Sequence, residues 1–594
     1  PRIVAELKAM GVGNIAVVYD EKEDVDKNAF DGVPLYERAE LQSVQNNFTQ
    51  HKGVSAIVYI QTCAAEKRRR RKRGQFPDPD KRVFINTDVC EGCGDCGVQS
   101  NCVSIVPADT ELGRKRAIDQ SSCNKDYSCV KGFCPSFVTL EGAKIRKDPT
   151  TEVKIPELPY PVLPVIHGTH NVIITGVGGT GVVTIGAVLA QAAQLDGKGA
   201  GMMEMAGLAQ KGGAVHIHCR IANRPEDISA IRVATGEADA LIGGDLVVSA
   251  GTKTLGLTRA GRTGAVVNSH QIITGDFTRN TEFQMPYDRL TLALEARLKE
   301  DVALFDASDL AKATLGDSIY SNMMIFGAAW QRGLVPLSLD SLQEAIKLNG
   351  AAVERNLRAF ELGRWAVLFP KEAANLLSPN IIEMPKSLED KIDYRKKHLI
   401  AYQGKGLAKR YGVLVDSIED ARLREAVALG YHKLLSYKDE YEVARLLKST
   451  REKVAQEFDG NPKMTFNLAP PVLSKTGSDG RPVKRTFGEW LERPLGMLSR
   501  MKFLRGTPFD PFGHTSERKM ERSLIRQYEA DMKEVLPRLT DATRDAIIAL
   551  AELPLQIRGF GPVKQANEAK AAKRREELLA TIRAGGSHTA KAAE

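Results

Sequence analysis

Seven of the nine cysteines lie between Cys90 and Cys134, and their spacing constrains this chain more than any other feature. The run begins C-x2-C-x2-C on a short turn that contains Gly92 and Gly94. Three thiols at successive steps of three residues are typical of ligands to a cubane iron-sulfur cluster, which takes its fourth ligand from elsewhere in the chain. The spacing therefore predicts a protein that carries electrons.

The cysteines form two runs, as in two-cluster bacterial ferredoxins, where the last cysteine of each run ligates the other cluster and precedes a proline. Cys134-Pro135 fits that role, and Asp126 lies midway between Cys123 and Cys129, where the pattern has a cysteine. Asp126 is a candidate oxygen ligand; otherwise that corner is labile or the cluster is 3Fe-4S. The predicted ligands are Cys90, Cys93, Cys96 and Cys134 for the first cluster, and Cys102, Cys123, Cys129 and Asp126 for the second.

Two other uses of these cysteines fit less well. Four thiolates in CxxC-like pairs would suit tetrahedral zinc, but three cysteines at successive steps of three argue against it. A disulfide framework is disfavoured because the chain shows no signal peptide, and Cys63 and Cys219 lie well outside the run. We therefore expect a reducing, cytoplasmic environment. The sequence departs from the ferredoxin pattern in three places: five residues instead of three precede Cys102, no proline follows it, and four residues precede Cys134.

The composition is that of an ordinary globular protein, with 594 residues, 43% of them hydrophobic and 26% charged, and a formal net charge of +9. No apolar run approaches the roughly 20 residues of a membrane span, so no membrane partner is expected. Much of the positive charge lies in the run KRRRRKR at 67–73. We interpret it as a solvated linker, or alternatively as a docking surface for an acidic electron acceptor. Nucleic-acid binding is disfavoured because no aromatic residues interleave the basic run.

The first residues of the chain have the sequence pattern expected for the C-terminal part of a domain. Helical patterns at 4–10 and 39–49 alternate with apolar strands at 15–19 and 54–60. This alternation predicts a parallel sheet, and two strands cannot bury both faces of such a sheet. Further strands, and hence residues removed before Pro1, are therefore expected upstream.

A glycine-rich turn follows the proline-rich stretch 156–164, which we interpret as an extended linker. Between a buried strand at 171–176 and an apolar helix at 182–193, the turn holds Gly176, Gly178, Gly179 and Gly181. Such glycines let the backbone approach a phosphate at the helix N-terminus. NAD is disfavoured because Asp196 comes too early, and Glu204 fits poorly, as the acidic residue of a dinucleotide site. A plain tight turn, contact with a phosphate-bearing group and contact with a neighbouring subunit stay open.

Two histidines further along could hold a metal. His216 and His218 share one face of a predicted strand at 214–221 because side chains alternate along a strand. Without a third ligand nearby, a polar strand face is the better interpretation.

The rest of the chain is predicted to be mainly helical. Helical periodicity is present at 339–364, 437–458, 517–535 and 565–582. Arg505 and Arg558 each lie beside a glycine in an irregular stretch, where they could bind a carboxylate or phosphate, or cap a loop.

These motifs carry a resemblance to a known family. The stretches CEGCGDCGVQSNC, SSCNKDYSCVKGFCPSF, GVGGTGVVT and GLAQKGGAVHIH closely resemble the large single-chain indolepyruvate:ferredoxin oxidoreductases of proteobacteria, which belong with the thiamine-diphosphate-dependent 2-oxoacid:ferredoxin oxidoreductases. The resemblance implies a multidomain α/β and α+β protein. Its expected parts are the end of a thiamine-diphosphate domain with a basic linker at 1–75, a ferredoxin-like 4Fe-4S domain at 76–165, a doubly wound α/β gamma-type catalytic domain at 166–366 and a mostly helical C-terminal domain at 367–594.

The resemblance also implies a reaction. An aryl 2-oxoacid such as indolepyruvate would be oxidatively decarboxylated, coenzyme A would accept the acyl group, and electrons would pass one at a time through the clusters to ferredoxin. By analogy, Gly176, Gly178, Gly179 and Gly181 would take part in coenzyme A access. A homo-oligomer is expected.

One departure from the family bears on turnover. The chain has no GDG motif followed by an Asn pair, the signature that ligates the magnesium of thiamine diphosphate. That site is expected upstream, no catalytic residue is assigned here, and this chain alone should not turn over. Alternatively, the chain is a non-catalytic electron-transfer or scaffold subunit that docks onto a separate thiamine-diphosphate subunit.

Overall fold

A computed structural model of the chain describes residues 1–21, 23–30, 32–146, 150–178, 181–206, 213–272, 275–278, 280–377, 387–470 and 481–586. The chain divides into two compact units, Pro1–Pro79 and Asp80–Glu594. Over the described ranges, no helix is both long enough and apolar enough to cross a membrane.

The first unit is a small layered α/β structure. Its elements are α1 (Arg2–Ala9), β1 (Asn14–Tyr19), β2 (Leu35–Glu37), α2 (Leu41–Phe48), β3 (Ser55–Ile60) and α3 (Ala64–Lys72). The strand order is β2-β1-β3, and both pairings are parallel. The predicted parallel sheet is thus confirmed, and Val17 and Val18 of its central strand are fully buried.

The basic run, which we interpreted as a solvated linker or a docking surface, lies on helix α3. Lys67 forms an ion pair of 2.6 Å with Glu23, and Arg70 forms one of 3.1 Å with Glu66. Arg71 lies over the ring of Phe76 at 5.4 Å. These contacts hold the basic residues in a helix because a carboxylate one turn away offsets part of their mutual repulsion.

The cysteine-rich region begins the second unit. Its elements are β4 (Arg82–Ile85), α4 (Asp95–Ser100), β5 (Ile105–Ala108), β6 (Lys115–Ile118), β7 (Phe137–Glu141) and β8 (Lys144–Ile145). Strands β5 and β6 form an antiparallel hairpin, and β4 pairs antiparallel with β7.

A larger α/β region follows. Its elements are β9 (Thr169–Val177), α5 (Val182–Leu195), β10 (Gly199–Ala206), β11 (Ala214–Ala222), β12 (Ala240–Gly243), α6 (Leu246–Ser249), α7 (Thr252–Leu257), β13 (Gly264–Asn268), α8 (Tyr287–Leu298), β14 (Val302–Phe305), α9 (Ala307–Leu315), α10 (Ser321–Gln331), α11 (Leu339–Leu348), α12 (Val353–Leu368) and α13 (Pro370–Leu376). The sheet order is β10-β11-β9-β12-β13-β14, parallel from β9 to β14 and antiparallel at the β10 and β11 edge.

Both faces of this sheet are covered. Ile174 packs with α5 and α10 on one face, whereas Ile173 packs with α6 and α8 on the other. Neighbouring residues of a strand point to opposite faces, so an unbroken apolar run is needed for a sheet buried on both sides. The α/β character that we predicted for this region is confirmed.

Two details of this region differ from expectation. The periodic stretch 339–364 is two helices, because Gly350 (φ +70°) and Ala352 (φ +43°) take left-handed conformations between α11 and α12. The extended stretch 156–164 does not behave as a free linker. Its Tyr160 meets Trp330 edge to face at 5.0 Å and accepts a hydrogen bond from the Leu339 N–H.

The C-terminal region is mainly helical. Its elements are α14 (Leu388–Tyr402), α15 (Lys405–Val415), α16 (Ala421–Leu435), α17 (Glu440–Leu447), α18 (Thr450–Glu457), β15 (Phe458–Asp459), β16 (Lys463–Leu468), β17 (Arg485–Phe487), α19 (Glu492–Arg500), α20 (Ser516–Val535), α21 (Arg544–Glu552) and α22 (Gly561–Arg583). Arg505, a candidate anion ligand, is buried and donates to both carboxylate oxygens of Asp439, so its partner is within the chain.

The cysteine-rich region and the C-terminal region share one sheet. Strand β16 pairs antiparallel with β7, giving the order β17-β16-β7-β4, and β15 pairs with β8. Phe84, Leu140 and Phe466 contribute to the core beneath these strands. The parts of the chain expected at 76–165 and 367–594 therefore contribute strands to the same sheet.

Candidate iron-sulfur centre

The four cysteines predicted for the first cluster lie around one cavity. Cys90, Cys93, Cys96 and Cys134 all line it, together with Ile85 and Phe137 from the adjoining strands. Cys90 and Cys96 are buried, and the other two are partly buried. Four thiols converging on one largely apolar cavity are the donor set that an iron-sulfur cluster requires.

Glycines shape the turn that carries the first three thiols. Gly92 has φ +67°, and its N–H donates to the Cys90 sulfur at 3.3 Å. A Cβ atom at Gly132 would lie 2.8 Å from the Cα atom of Cys96. Glycine at this position therefore lets the segment before Cys134 approach the first run closely enough to contribute its thiol.

Burial makes these thiols weak acids in the absence of a metal. Burial raises the pKa of Cys93 to about 12, and the nearby Cys134 and Cys90 add to the shift. Burial also raises the pKa of Cys134, against the opposing effect of Lys484. Iron must therefore displace protons from these thiols when it binds.

The other three cysteines form a second group. Cys102, Cys123 and Cys129 pack in one cluster with neighbouring apolar residues. Burial, followed by the charges of Cys123, Cys102 and Asp126, raises the pKa of Cys129 to about 12. The N–H of Lys125 donates to the Cys123 sulfur at 3.4 Å. Such N–H to sulfur bonds favour the thiolate form that metals bind.

Asp126 occupies the exposed side of the second group. Its two carboxylate oxygens accept hydrogen bonds from the Ser128 N–H at 3.3 Å and the Ser128 hydroxyl at 2.8 Å. The neighbouring residues Lys125 and Tyr127 have φ of +54° and +65°, unusual values for residues other than glycine. The oxygens of Asp126 are thus engaged by its own loop, and its role as a cluster ligand stays a prediction.

The C-terminal helices supply charges around the first group. Glu91, next to Cys90, is buried and forms ion pairs with Lys433 and with Lys438, the latter at 2.9 Å. Lys438 also donates to the backbone carbonyl of Cys90 at 3.1 Å. These lysines hold the pKa of Glu91 well below its usual range in spite of the opposing effect of burial.

A loop of the α/β region also reaches the first group. The Arg116 guanidinium stacks on the Phe277 ring at 3.7 Å, and Arg114 donates to the Phe283 carbonyl at 3.1 Å. A Cβ atom at Gly94 would lie 2.3 Å from the Thr281 methyl group. The loop that leads from β13 to α8 therefore packs directly against the cysteine turn.

The glycine-rich turn takes the predicted place between β9 and α5. Gly181 caps α5 with φ +84°, and its carbonyl accepts a hydrogen bond from the Asn322 amide. Gly176 lies in β9, and the Gly178 N–H donates to the Gly213 carbonyl at 2.8 Å, so it is already bonded within the chain. Gly179 lies outside the described residues.

The two predicted histidines have protein partners. His216 forms a hydrogen bond of 3.1 Å with the Thr254 hydroxyl, and His218 accepts one from the Val233 N–H at 3.0 Å. These bonds agree with a polar strand face. A different histidine, His270, lies 3.0 Å from Asp306 and 3.8 Å from Asp309 at the carboxyl end of the sheet, a grouping that the sequence alone did not suggest.

The lysines around Glu91 were also missed by sequence reasoning. Lys433 and Lys438 are far from the cysteines along the chain, and single lysines in helical sequence carry no spacing signal. Only the shared sheet and the packing of α16 bring them to the first group.

Known families match two parts of the chain. Residues 171–366 match the pyruvate ferredoxin/flavodoxin oxidoreductase family, and residues 388–577 match a family of unknown function, DUF6537. Together with the relatives described next, the first match supports membership of the 2-oxoacid:ferredoxin oxidoreductase superfamily. The resemblance inferred from the motifs agrees with this match.

Curated relatives are similar to about a third of the chain. The indolepyruvate oxidoreductase subunit IorB of Archaeoglobus fulgidus is 27% identical over 195 residues, which are 32% of this chain and 92% of the relative. The subunit of the same name from Pyrococcus horikoshii is 28% identical over 211 residues, 35% of this chain and 98% of the relative.

Solved structures give more distant matches. The gamma subunit of a keto/oxoacid ferredoxin oxidoreductase from Geobacter sulfurreducens has 23% identity and a TM-score of 0.25, covering 34% of this chain and 98% of its own. The 2-oxoglutarate:ferredoxin oxidoreductase of Magnetococcus marinus, solved with 2-oxoglutarate, coenzyme A and succinyl-CoA bound, has 16% identity and a TM-score of 0.25, covering 48% of this chain and 46% of its own.

Proposed function

We propose that this chain is the electron-carrying component of an aryl 2-oxoacid:ferredoxin oxidoreductase. The observation that carries the proposal is the convergence of Cys90, Cys93, Cys96 and Cys134 on one cavity. These residues would hold a 4Fe-4S cluster, and Cys102, Cys123 and Cys129 would hold a second, with Asp126 or with an open corner as in a 3Fe-4S cluster. When bound, such clusters accept and release single electrons.

The first and the second cysteine groups have different surroundings, and we propose a different role for each. Lys433, Lys438 and Arg116 place positive charge near the first group, which favours a more negative, reduced centre there. Asp126, beside the second group, is exposed. The exposed side of this group is therefore the surface that we propose for contact with ferredoxin. Both groups border one apolar core that includes Ile85 and Phe137 and limits access of water.

The substrate and cosubstrates follow from the family rather than from this site. Indolepyruvate is proposed because the curated relatives are named indolepyruvate oxidoreductase subunits. Coenzyme A would accept the acyl group and approach the turn formed by Gly176 and Gly181. Thiamine diphosphate and its magnesium would be held outside this sequence, which lacks the GDG signature. A cytoplasmic homo-oligomer completes the proposal. Its expected parts are 1–75, 76–165, 166–366 and 367–594, of which the second and the fourth contribute strands to one sheet.

Iron and acid-labile sulfide per chain test the proposal directly. Anaerobically prepared protein should contain about eight iron atoms and give two interacting paramagnetic signals after dithionite reduction if Asp126 completes the second cluster. About seven iron atoms with an oxidised three-iron signal would mean that Asp126 leaves a corner open. About four would limit the claim to one cluster, and zinc without sulfide would refute electron transfer.

A second candidate function is a non-catalytic electron-transfer or scaffold subunit. It is favoured by the names of the curated relatives, which are themselves called subunits. The two candidates differ in the position of the thiamine-diphosphate site, which lies in the same polypeptide in one case and in a separate subunit in the other. Sequencing the coding region directly upstream of Pro1 distinguishes them, because an in-frame GDG motif is expected only for the first.

A further inference from the structure

A second cavity lies beside the first cysteine group. It encloses about 300 Å³ between the β5–β6 hairpin, helices α14 and α16, and the segment that precedes α22. Its charged lining comprises seven cationic and two acidic side chains, an unusual excess for a cavity of this size. These residues are Arg114, Lys115, Lys391, Arg395, Lys433, Lys438 and Arg558, with Glu91 and Glu111.

Lys115 is the most informative of these cations. The residue is 7% exposed and lines the cavity, and its ammonium group has no hydrogen-bond or ion-pair partner among the residues that the structure describes. Buried ammonium groups are costly unless an anion compensates them. Burial, together with the nearby Lys438, lowers the pKa of Lys115 to about 7, as expected for a charge without adequate compensation.

Three of the other cations are already paired with carboxylates outside the lining: Arg114 with Asp109, Lys391 with Glu425 and Arg558 with Glu282. Lys433 and Lys438 share the single carboxylate of Glu91. Arg395 donates only to backbone carbonyls, those of Lys391 and Glu111, each at 2.9 Å. Its buried Nε atom has no hydrogen-bond partner within the described part of the chain. Among the described residues, Lys115 and Arg395 are thus the cations of the lining that have no carboxylate partner.

The cavity also offers an apolar surface. Leu112, Leu429 and Leu555 line it between the charged groups. A volume near 300 Å³ is at the lower end of the range for small-molecule sites, which are typically apolar with a few placed polar groups. Lysine ammonium groups act as point charges and suit phosphate, whereas a single carboxylate would leave most of this positive charge uncompensated.

We infer that this cavity binds a small molecule with a diphosphate group, of the size of a nucleoside diphosphate. Lys115 and Arg395 contact the phosphates, and the leucines receive the uncharged part. The site is distinct from the turn proposed for coenzyme A, because it lies between the cysteine-rich region and α14 and α16. Glu91 lines both this cavity and that of the first cysteine group, so a ligand here would change the electrostatic surroundings of that group.

Equilibrium binding of ADP and of inorganic pyrophosphate to the anaerobic full-length chain tests the inference. Lys115→Gln and Arg395→Gln should each weaken ADP binding at least about tenfold, because each removes a charged donor. Lys396→Gln is the matched control. Lys396 is the next residue on α14, and it pairs with Asp416 outside the cavity. The control should change the affinity less than about twofold.

Comparing the affinities for pyrophosphate and for ADP distinguishes recognition of the phosphates from recognition of the nucleoside. Similar affinities would mean that the phosphates alone are recognised, and a stronger affinity for ADP would mean that the leucines contact the nucleoside; either result supports the site. Iron content and the paramagnetic signals of each variant show whether the cysteine groups stay intact. The inference is overturned if neither compound binds the wild-type protein, or if all three variants weaken binding equally. The inference is also overturned if the wild-type protein does not bind ADP and Lys115→Gln loses iron. The positive charge of Lys115 would then stabilise the iron-sulfur site instead of binding a ligand.

Discussion

The Nζ atom of Lys438 lies 2.9 Å from Oε1 of Glu91 and joins the C-terminal helical region to the turn of the first cysteines. Both side chains are largely buried, with 11% and 3% exposure. The same ammonium group donates to the carbonyl of Cys90 at 3.1 Å, so the C-terminal helical region helps to hold the turn of the first cysteines in place.

Removing this lysine should loosen the first cysteine group. In Lys438→Met, Glu91 keeps only Lys433 as a partner, and a buried carboxylate that loses one of two counter-charges should lower the free energy of unfolding by about 2–4 kcal/mol. Chemical denaturation and iron content measure the effect. Lys396→Met is the control, because its pair with Asp416 is partly exposed and should be worth about 0–1 kcal/mol. Equal losses in the two variants would contradict the role of Lys438.

Adding a methyl group at Gly132 should separate the two cysteine runs. In Gly132→Ala, the new Cβ atom meets the backbone of Cys96 at 2.8 Å, so the segment that presents Cys134 must move away. We expect loss of the first paramagnetic signal with about 1–3 kcal/mol of destabilisation. Gly496→Ala in α19 is the control, since no atom lies within 4 Å of its new methyl group. A normal first signal in Gly132→Ala would show that Cys134 is not a ligand.

Single ligand changes should affect the two clusters separately. Cys93→Ala should abolish the spectrum of the first cluster, because it removes one of the four thiols around that cavity. Asp126→Cys should change only the second, because Asp126 lies beside Cys129. Electron paramagnetic resonance of the reduced variants measures both effects. If the two variants gave the same spectrum, the division of the cysteines into two groups would be wrong.

A pair of neighbouring histidines, the buried His432 and the partly buried His398, should make stability depend on pH. His398 and His432 share a hydrogen bond of 3.1 Å, and burial lowers the pKa of His398 to about 4. An unfolded histidine titrates near pH 6.5, so between pH 6.5 and 4 the unfolded chain binds a proton that the folded chain does not. The contribution of His398 is fully present above that window and declines as the pH falls through it, by roughly 3 kcal/mol at its lower end.

Denaturation of the wild type and of His398→Asn at pH 7, 6 and 5 checks this dependence. The loss of stability between pH 7 and 5 should be smaller in the variant, while the carboxylates contribute equally to both proteins. His514→Asn at an exposed position is the control and should keep the wild-type slope. Parallel slopes for the wild type and His398→Asn would exclude His398 as the cause.

Local patterns in the sequence were sufficient to predict several features of the fold. The order of strand, glycine turn and helix at β9 and α5 was predictable, because apolar runs and glycines act over a few residues. The same is true of the parallel sheet in the first unit. The boundary between α11 and α12 was missed because an apolar periodicity can continue across a short break at Gly350.

The sequence by itself determined the two sets of candidate ligands, since the spacing of Cys90, Cys93 and Cys96 limits which thiols can share one turn. Only the tertiary structure decided what surrounds them. The pairing of β7 with β16 and the packing of α16 bring Lys433, Lys438 and Arg395 to the cysteine-rich region from distant parts of the chain. No local sequence pattern predicts these contacts, because burial and charge compensation act between residues that are neighbours only after folding.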